Sequence, residues 1–548
     1  MSSLLAHAAG PTVPDAGSIL QQVQPSFAPR PAVSTDTVPL VTPPPTPSNP
    51  LPDQGSFVLQ HIEIVGNTRI PTAELHALVA NAEGQRVTLA DVGRLAARIT
   101  DYYHQRGYPL ARAVVPPQTI QQGLLQIEVI EARYGAIDLH NTSRISDRLL
   151  YATLGGLQSG TVVAQSELDR HLLLLSDIPG ITVHAQLSPG ALPGTTNLNV
   201  STAPSQPWVG GSVFFDNGGQ RDTGIVRLGA TLALTNPLHL GDVFDLSGMT
   251  TGHGLNYARA SYEALLDGIG TRAGIAGAAL DYRLGGDMAA LDGYGNAQTV
   301  SAWVRQPLVR ARAVNLFTQL QFDHMRLDDE IGATGTQTDR QLDLLSASLS
   351  GDERDGWLGA GVGAWSASWT YGHVGFDNAL AAEADANGAQ TQGSFSKFNL
   401  GLTRLQNFSG NNQLYLALTS QWASTNLDTS QQLLAGGSAT VRAYSTSTIG
   451  GDSGYLFTAE LRHTFAEPWG GQWQAIVFFD GAHVQIERHP VAAGPNIANL
   501  GGVGTGINWS GPDRINASLS VATPVGARPS ELGSVSSVRV WAQATKAF

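Results

Sequence analysis

The stretch Trp473-Gln474-Ala475-Ile476-Val477-Phe478-Phe479-Asp480 decides the fold. Side chains alternate along a strand, so Trp473, Ala475, Val477 and Phe479 share one face and Gln474, Ile476, Phe478 and Asp480 the other. An all-apolar face opposite a mixed face is the pattern of a barrel wall with lipid outside and a lumen inside. The same alternation recurs at Val226 to Leu234, Leu316 to Asp323 and Lys397 to Thr403, and again at Val538 to Thr545. Short turns such as Asn236-Pro237 and longer loops such as 379 to 394 separate these runs, the asymmetry expected of turns on one side of a membrane and loops on the other. No run of about 18 apolar residues occurs, which excludes a transmembrane helix. A closed barrel is the remaining way to cross hydrocarbon, because it pairs every backbone group around the ring.

Composition narrows the function. The 548 residues include 62 glycines, and 42% hydrophobic against 14% charged is a low-charge, turn-rich profile. A net charge of -13 without a Lys/Arg cluster argues against nucleic acid as a partner. With no cysteine, disulfides, zinc–cysteine sites and thiol nucleophiles are excluded together. The 14 histidines include no His-Glu-x-x-His and no two histidines at i, i+4, so spacing predicts no metal site. Glycine-rich Gly501 to Gly506 is not followed by a helix, so it reads as room inside a barrel wall rather than a phosphate loop.

Five segments precede the barrel. Residues 1–9 hold Ala6-His7-Ala8, a small-x-small pattern that reads as the remnant of a signal peptide. Residues 14–25 predict a short helix capped by Asp15 or Ser18, with Ile19, Leu20 and Val23 as its apolar stripe; a disordered tail is the alternative. The Pro-rich stretch 26–55 favours polyproline II, and about 30 residues at ~3.1 Å each reach roughly 90 Å, several times the ~30 Å hydrocarbon thickness. Residues 57–132 read β-α-α-β-β: strand Phe57 to Val65, helices Pro71 to Asn81 and Thr88 to Arg106, strands Ala111 to Val115 and Leu125 to Glu131. Residues 133–202 repeat that order, with a second helix capped by Ser166.

Particular residues carry a resemblance to a known family. Tyr103, Gly107, Tyr108, Pro116, Gln118 and Gly123 in 57–132 resemble the first polypeptide-transport-associated (POTRA) domain of the two-partner secretion outer-membrane transporters, the TpsB family of ShlB/FhaC/HecB type. Ile178 to Val183 and Leu187 to Gly190 resemble the end of a second POTRA domain. Leu434 to Tyr444, with Val441-Arg442-Ala443-Tyr444, then Gly451 to Gly454 and Glu460-Leu461, resembles the sixth-loop motif of the same transporters. The resemblance implies an α+β POTRA pair followed by an all-β transmembrane barrel, 206–548, of about sixteen antiparallel strands; direct reading finds about a dozen, and about 340 residues at ~20 per strand and connection fit sixteen.

Taken alone, Arg442 reads as a solvated loop arginine and Asp480 as one of many lumen carboxylates. The resemblance implies instead that the sixth loop folds into the barrel and that Arg442 grips Asp480 beside Phe478, a task for the planar guanidinium fork. A glycine is usual where Ala443 stands, so a turn of positive φ is expected to be strained there. The 14–25 helix is implied to plug the pore. The implied partners are a secreted TpsA-type protein, unfolded in transit, outer-membrane lipid, and the barrel-assembly machinery through C-terminal Phe548; no cofactor is implied. The implied location is the bacterial outer membrane with the POTRA domains in the periplasm. Three other readings stay open: a barrel-assembly factor of the same superfamily, a passive porin, and a serine hydrolase using Ser453 in Gly451-Asp452-Ser453-Gly454.

Overall fold

The computed structural model describes residues 13–24, 55–205, 207–465, 470–491, 493–526, 532 and 536–548. The signal-peptide remnant and nearly all of the Pro-rich linker lie outside these residues.

Helix α1 (Ala16–Val23) begins at Asp15, whose carboxylate accepts the Ser18 N–H while the Ser18 hydroxyl accepts the Asp15 N–H. This reciprocal cap satisfies two donors that a short helix would otherwise leave unpaired.

The next segment builds a small α+β unit. The expected strand Phe57 to Val65 breaks into β1 (Ser56–Val58) and β2 (His61–Val65). The break arises because the two halves have different partners: β1 pairs with β3 (Arg86–Thr88), and β2 runs parallel to β5 (Leu124–Ile130). Helices α2 (Thr72–Val79) and α3 (Leu89–Gln105) cover the sheet, whose far edge is β4 (Arg112–Val114). Val92, Leu95, Ile99 and Tyr103 line the buried face of α3, and Gly107, at φ +86°, ends it.

A second unit follows: β6 (Arg133–Asn141), α4 (Asp147–Leu154), α5 (Gln165–Ser176), β7 (Ile181–Pro189) and β8 (Thr195–Pro204), with sheet order β6-β8-β7. Ser166 is not the cap expected of it. The helix starts at Gln165, two residues earlier than a Ser166 cap would set it, Ala164 occupies the cap without a side-chain bond, and the free Gln165 N–H donates 2.9 Å to the Gly107 carbonyl of the first unit. The helix end is thus satisfied across the domain boundary rather than locally.

Among the described residues, sixteen antiparallel strands then close into a barrel, from Val209–Asp216 to Arg539–Ala547. The first and last strands pair from Gln543 with Asp216 to Ala547 with Ser212, and the Phe548 N–H extends the seam to the Gly211 carbonyl. The wall alternates as the sequence reading expects: Val477 and Phe479 are 60% and 43% exposed, while Ile476, Phe478 and Asp480 are buried inside. Turns at one end of the barrel dock on the second α+β unit. Arg310 makes a two-pronged bond to Asp177, with both contacts at 2.7 Å, and Arg312 reaches Asp169 at 2.8 Å.

The POTRA-like residues prove to be internal fasteners. Tyr103 donates to Glu131 at 2.9 Å, and the backbone N–H groups of Thr68 and Arg69 donate to the same carboxylate at 2.7 and 2.8 Å. Tyr108 packs edge-on to Tyr103 at 5.9 Å. Gln118 mimics a strand neighbour, its amide bonding both the carbonyl and the N–H of Gln126, and its Nε2 also reaches the Pro116 carbonyl at 3.4 Å. Gly123 takes φ +74° with Val58 so close that a Cβ would fall 2.5 Å from its carbonyl oxygen.

Burial alone would raise the Glu131 carboxyl, but the bonds from Thr68, Arg69 and Tyr103 outweigh it and hold it below the usual carboxylate range. A lowered folded-state value means that the stabilisation is complete above the unfolded-state value and is lost as pH falls through the folded one. Glu131→Gln is therefore expected to lower stability at neutral pH and to flatten its decline in acid. Tyr103→Phe should cost about 1.5–3 kcal/mol, the range for a hydrogen bond to a charged group. Thermal melting across pH checks both, and an unchanged acid limb in Glu131→Gln contradicts the assignment.

Candidate functional site

The lumen is occupied from two sides. The loop between the strands ending at Ala423 and starting at Ser453 folds inward as a hairpin, in which Leu433–Ala435 pairs with Ile449–Gly451. Gly436 and Gly437, at φ +105° and +112°, make its turn inward.

At the loop tip, Arg442 grips Asp480 with Nε and Nη2, each at 2.8 Å, and adds its own backbone N–H at 3.1 Å. Its remaining nitrogen, Nη1, bonds Glu460 at 2.7 Å, and Arg462 holds the other Glu460 oxygen at 2.7 Å. Two arginines therefore balance two carboxylates. Asp480 is fully buried, so the charge neutralisation and complete hydrogen bonding are what make it tolerable there. The Phe478 ring sits 3.3 Å from the Arg442 guanidinium carbon. Val441, Ala443 and Tyr444 are buried in a cluster with Ile476, Phe478 and Val484.

Ala443 does not strain the loop. It is absent from the residues of positive φ, and its methyl packs against Gly502, where a Cβ would approach to 2.6 Å. The room is supplied by a glycine on the wall instead of one in the loop. Gly504 likewise leaves space for the Phe478 ring. Glu460, from the sixth-loop resemblance, Gly502, from the glycine run read as room in the wall, and Trp541, which no sequence signal marked and whose indole N–H donates 2.7 Å to the Arg442 carbonyl, complete the clamp. Glu460 stands two residues from Arg462, on the inward parity of its strand.

Ser453 is engaged in holding the loop. Its hydroxyl accepts the Ala423 N–H at 3.0 Å, and neighbouring Asp452 accepts the N–H groups of Leu427 and Arg488 at 3.1 and 2.7 Å. Both residues pin the loop's return to the wall.

The second occupant is α1. Ile19 and Leu20 are buried in the lumen among Leu255, Tyr282, Leu327, Leu342 and Leu427, with Val23 packed against that cluster. A polar latch holds the helix start: Asp15 accepts from Arg340 and from Thr429, both at 2.6 Å, and the Ala16 N–H donates to Asp329 at 2.7 Å. Arg340 also faces Asp329 at 3.2 Å and Asp428 at 3.0 Å, so one buried guanidinium serves three carboxylates. Gly17 lies so close to the loop base that a Cβ would meet Thr429 Oγ1 at 2.6 Å. Asp428 and Thr429 belong to the same inward loop that carries Arg442.

Two predictions follow from the polar geometry. Arg442→Ala leaves two buried carboxylates short of a partner, at a cost of about 3–5 kcal/mol to loop docking, and should abolish function while the barrel stays heat-modifiable on gels. Arg442→Lys should not restore it, because one ammonium cannot span both acids; wild-type function in either variant contradicts the clamp. Arg340→Ala leaves Asp15, Asp329 and Asp428 repelling one another, and should raise single-channel conductance in planar bilayers to that of a chain lacking residues 14–25. Unchanged conductance would place the helix's hold elsewhere.

Comparisons with known proteins converge on this architecture. The family model for haemolysin secretion/activation proteins ShlB/FhaC/HecB matches residues 194–509, and that for the ShlB-type POTRA domain matches residues 57–132. Heme/hemopexin transporter protein HuxB of Haemophilus influenzae is 27% identical over 478 residues, covering 86% of this chain and 84% of that protein. Outer membrane transporter CdiB of Escherichia coli is 25% identical over 485 residues, covering 86% and 79%. The solved structure of CdiB from Escherichia coli shares the fold at TM-score 0.73 and 23% identity, covering 93% of each chain.

Proposed function

The chain belongs to the haemolysin secretion/activation proteins of ShlB/FhaC/HecB type, and on that footing we propose how its parts divide the work of exporting a partner protein. Proteins of this kind are outer-membrane two-partner secretion pores with their POTRA domains in the periplasm, and this chain is one of them. The observation that carries the mechanistic reading is a sixteen-stranded barrel whose lumen holds both a helix and a clamped loop.

In this reading α1 is the resting plug and the Arg442 clamp fixes the sixth loop as a wall of the conduit. Release of α1 from Arg340 opens the path, and the loop stays clamped to the strand bearing Asp480 while the client passes. The client is an unfolded TpsA-type chain. It docks by adding a strand to β7, a nine-residue edge that pairs only with β8 among the described residues. Strand addition reads main chain, which suits a long repetitive client and requires its donors and acceptors to be unpaired. The export path involves no covalent chemistry, and folding of the client outside supplies the drive. Outer-membrane lipid covers the apolar outer face, and the terminal aromatic Phe548, 58% exposed at the seam, is the handle for the assembly machinery.

The test is hydrogen exchange on the full-length protein in nanodiscs. Adding the unfolded N-terminal secretion domain of the cognate partner should slow exchange across Ile181–Pro189, and the folded form should not. Affinity should be modest, because ordering a disordered chain offsets part of the contact energy. Equal effects of both forms, or protection confined to other strands, rule out strand addition at β7.

A further inference from the structure

The first POTRA domain brings together three residues that no spacing rule connects. His61 opens β2, His76 lies in the last turn of α2, and Glu83 caps the short helical turn Ala80–Ala82. His61 Nδ1 and His76 Nε2 both lie 3.0 Å from the same oxygen, Glu83 Oε1. One donor atom from each of the three falls within 4.8 Å of the others, and the two rings stand 5.7 Å apart at 40°.

We propose that His61, His76 and Glu83 form a binding site for a divalent transition-metal ion of the zinc class, on the periplasmic face of the first POTRA domain. Two imidazoles and a carboxylate are the donor set that zinc takes when one position is left to water. Bonds of about 2.0–2.1 Å arranged tetrahedrally require neighbouring donors roughly 3.3 Å apart. The observed 3.0 Å nitrogen–oxygen separations need little adjustment to reach that edge. The carboxylate is already oriented from behind: the Ile62 N–H donates to Glu83 Oε1 at 2.9 Å, an outer contact of the kind that fixes a ligand's direction. The His61 side chain is 62% exposed, so the fourth position opens to water and the ion has a way in. Calcium and magnesium, which prefer oxygen donors, fit the set poorly.

The site would also act on the sheet. β2 is an edge of the order β2-β5-β4, and Gly84 and Gln85 already bond the link that leads into it, Gly84 N–H to Leu59 O at 2.7 Å and Leu59 N–H to Gln85 O at 3.0 Å. An ion held by His61, His76 and Glu83 staples the end of α2 and this turn to the β2 edge. That edge is then closed to an added strand, and the β7 edge of the second unit is left as it was.

The test uses the untagged full-length chain in detergent, stripped with a chelator and titrated with zinc chloride by calorimetry at neutral pH. One saturable equivalent is expected, and the 1:1 complex should give a zinc absorption-edge spectrum with two imidazole nitrogens. The double variant His61→Asn, His76→Gln keeps hydrogen-bond donors toward Glu83 but removes both imidazole ligands; its affinity should fall at least about tenfold with unchanged circular dichroism. No saturable binding, or binding unaffected by the double substitution, overturns the proposal. Should the double variant misfold, Glu83→Gln alone must weaken zinc binding, and unaltered affinity there overturns it equally.

Discussion

Everything in this molecule follows from the requirement that a chain crossing hydrocarbon leave no backbone group unpaired. With no apolar helix available, the strands must close on themselves, and the seam between Val209–Asp216 and Arg539–Ala547 is where they do so. A ring of sixteen strands encloses more space than its own side chains can fill. The lumen then has to be furnished with something, and the chain supplies α1 and the inward loop. Both occupants arrive with polar backbone and charge, which explains why the interior is organised around arginines rather than packed purely with apolar side chains.

The two arginines work in opposite senses. Arg442 meets two carboxylates that belong to the wall, so its clamp is a property of the folded barrel. Arg340, which unlike Arg442 belongs to a wall strand, meets a carboxylate of α1 as well as Asp329 and Asp428, so its latch joins separate parts of the chain. One loop is common to both, with Asp428 and Thr429 at its base and Arg442 at its tip. Displacement of α1 therefore changes the charge balance at the base of the same loop whose tip is bound to Asp480. The wall-bound clamp gives that loop a fixed end while its base is relieved of a partner.

Outside the membrane the same economy joins the domains. The free helix N–H of Gln165 is satisfied by Gly107 of the preceding unit, and Arg310 and Arg312 tie the second unit to the barrel's turns. These directional contacts couple the periplasmic units to one another and to the barrel base. The β7 edge, by contrast, keeps its outer side without a strand partner among the described residues.

What the sequence determined by itself is the local and the periodic. The two-residue alternation at 473–480, the lack of a long apolar run and the three-to-four spacing of α3 fixed the barrel wall and the α+β units, because those signals act over a few neighbouring residues. The pairing of Arg442 with Asp480 was legible through the motif around it, and the capping of α1 through Asp15 and Ser18. Only the tertiary structure decided the rest. The split of β1 from β2 and the missing cap at Ser166 reflect partners far along the chain, which outweigh local preference. The convergence of Glu460 and Gly502 on Arg442, Trp541 at the clamp, Arg340 at the plug, and the meeting of His61, His76 and Glu83 all depend on strand register and on which elements pack together. Asp15 and Thr429 bond across 414 positions, and no short-range pattern encodes a contact that exists only once the ring has closed.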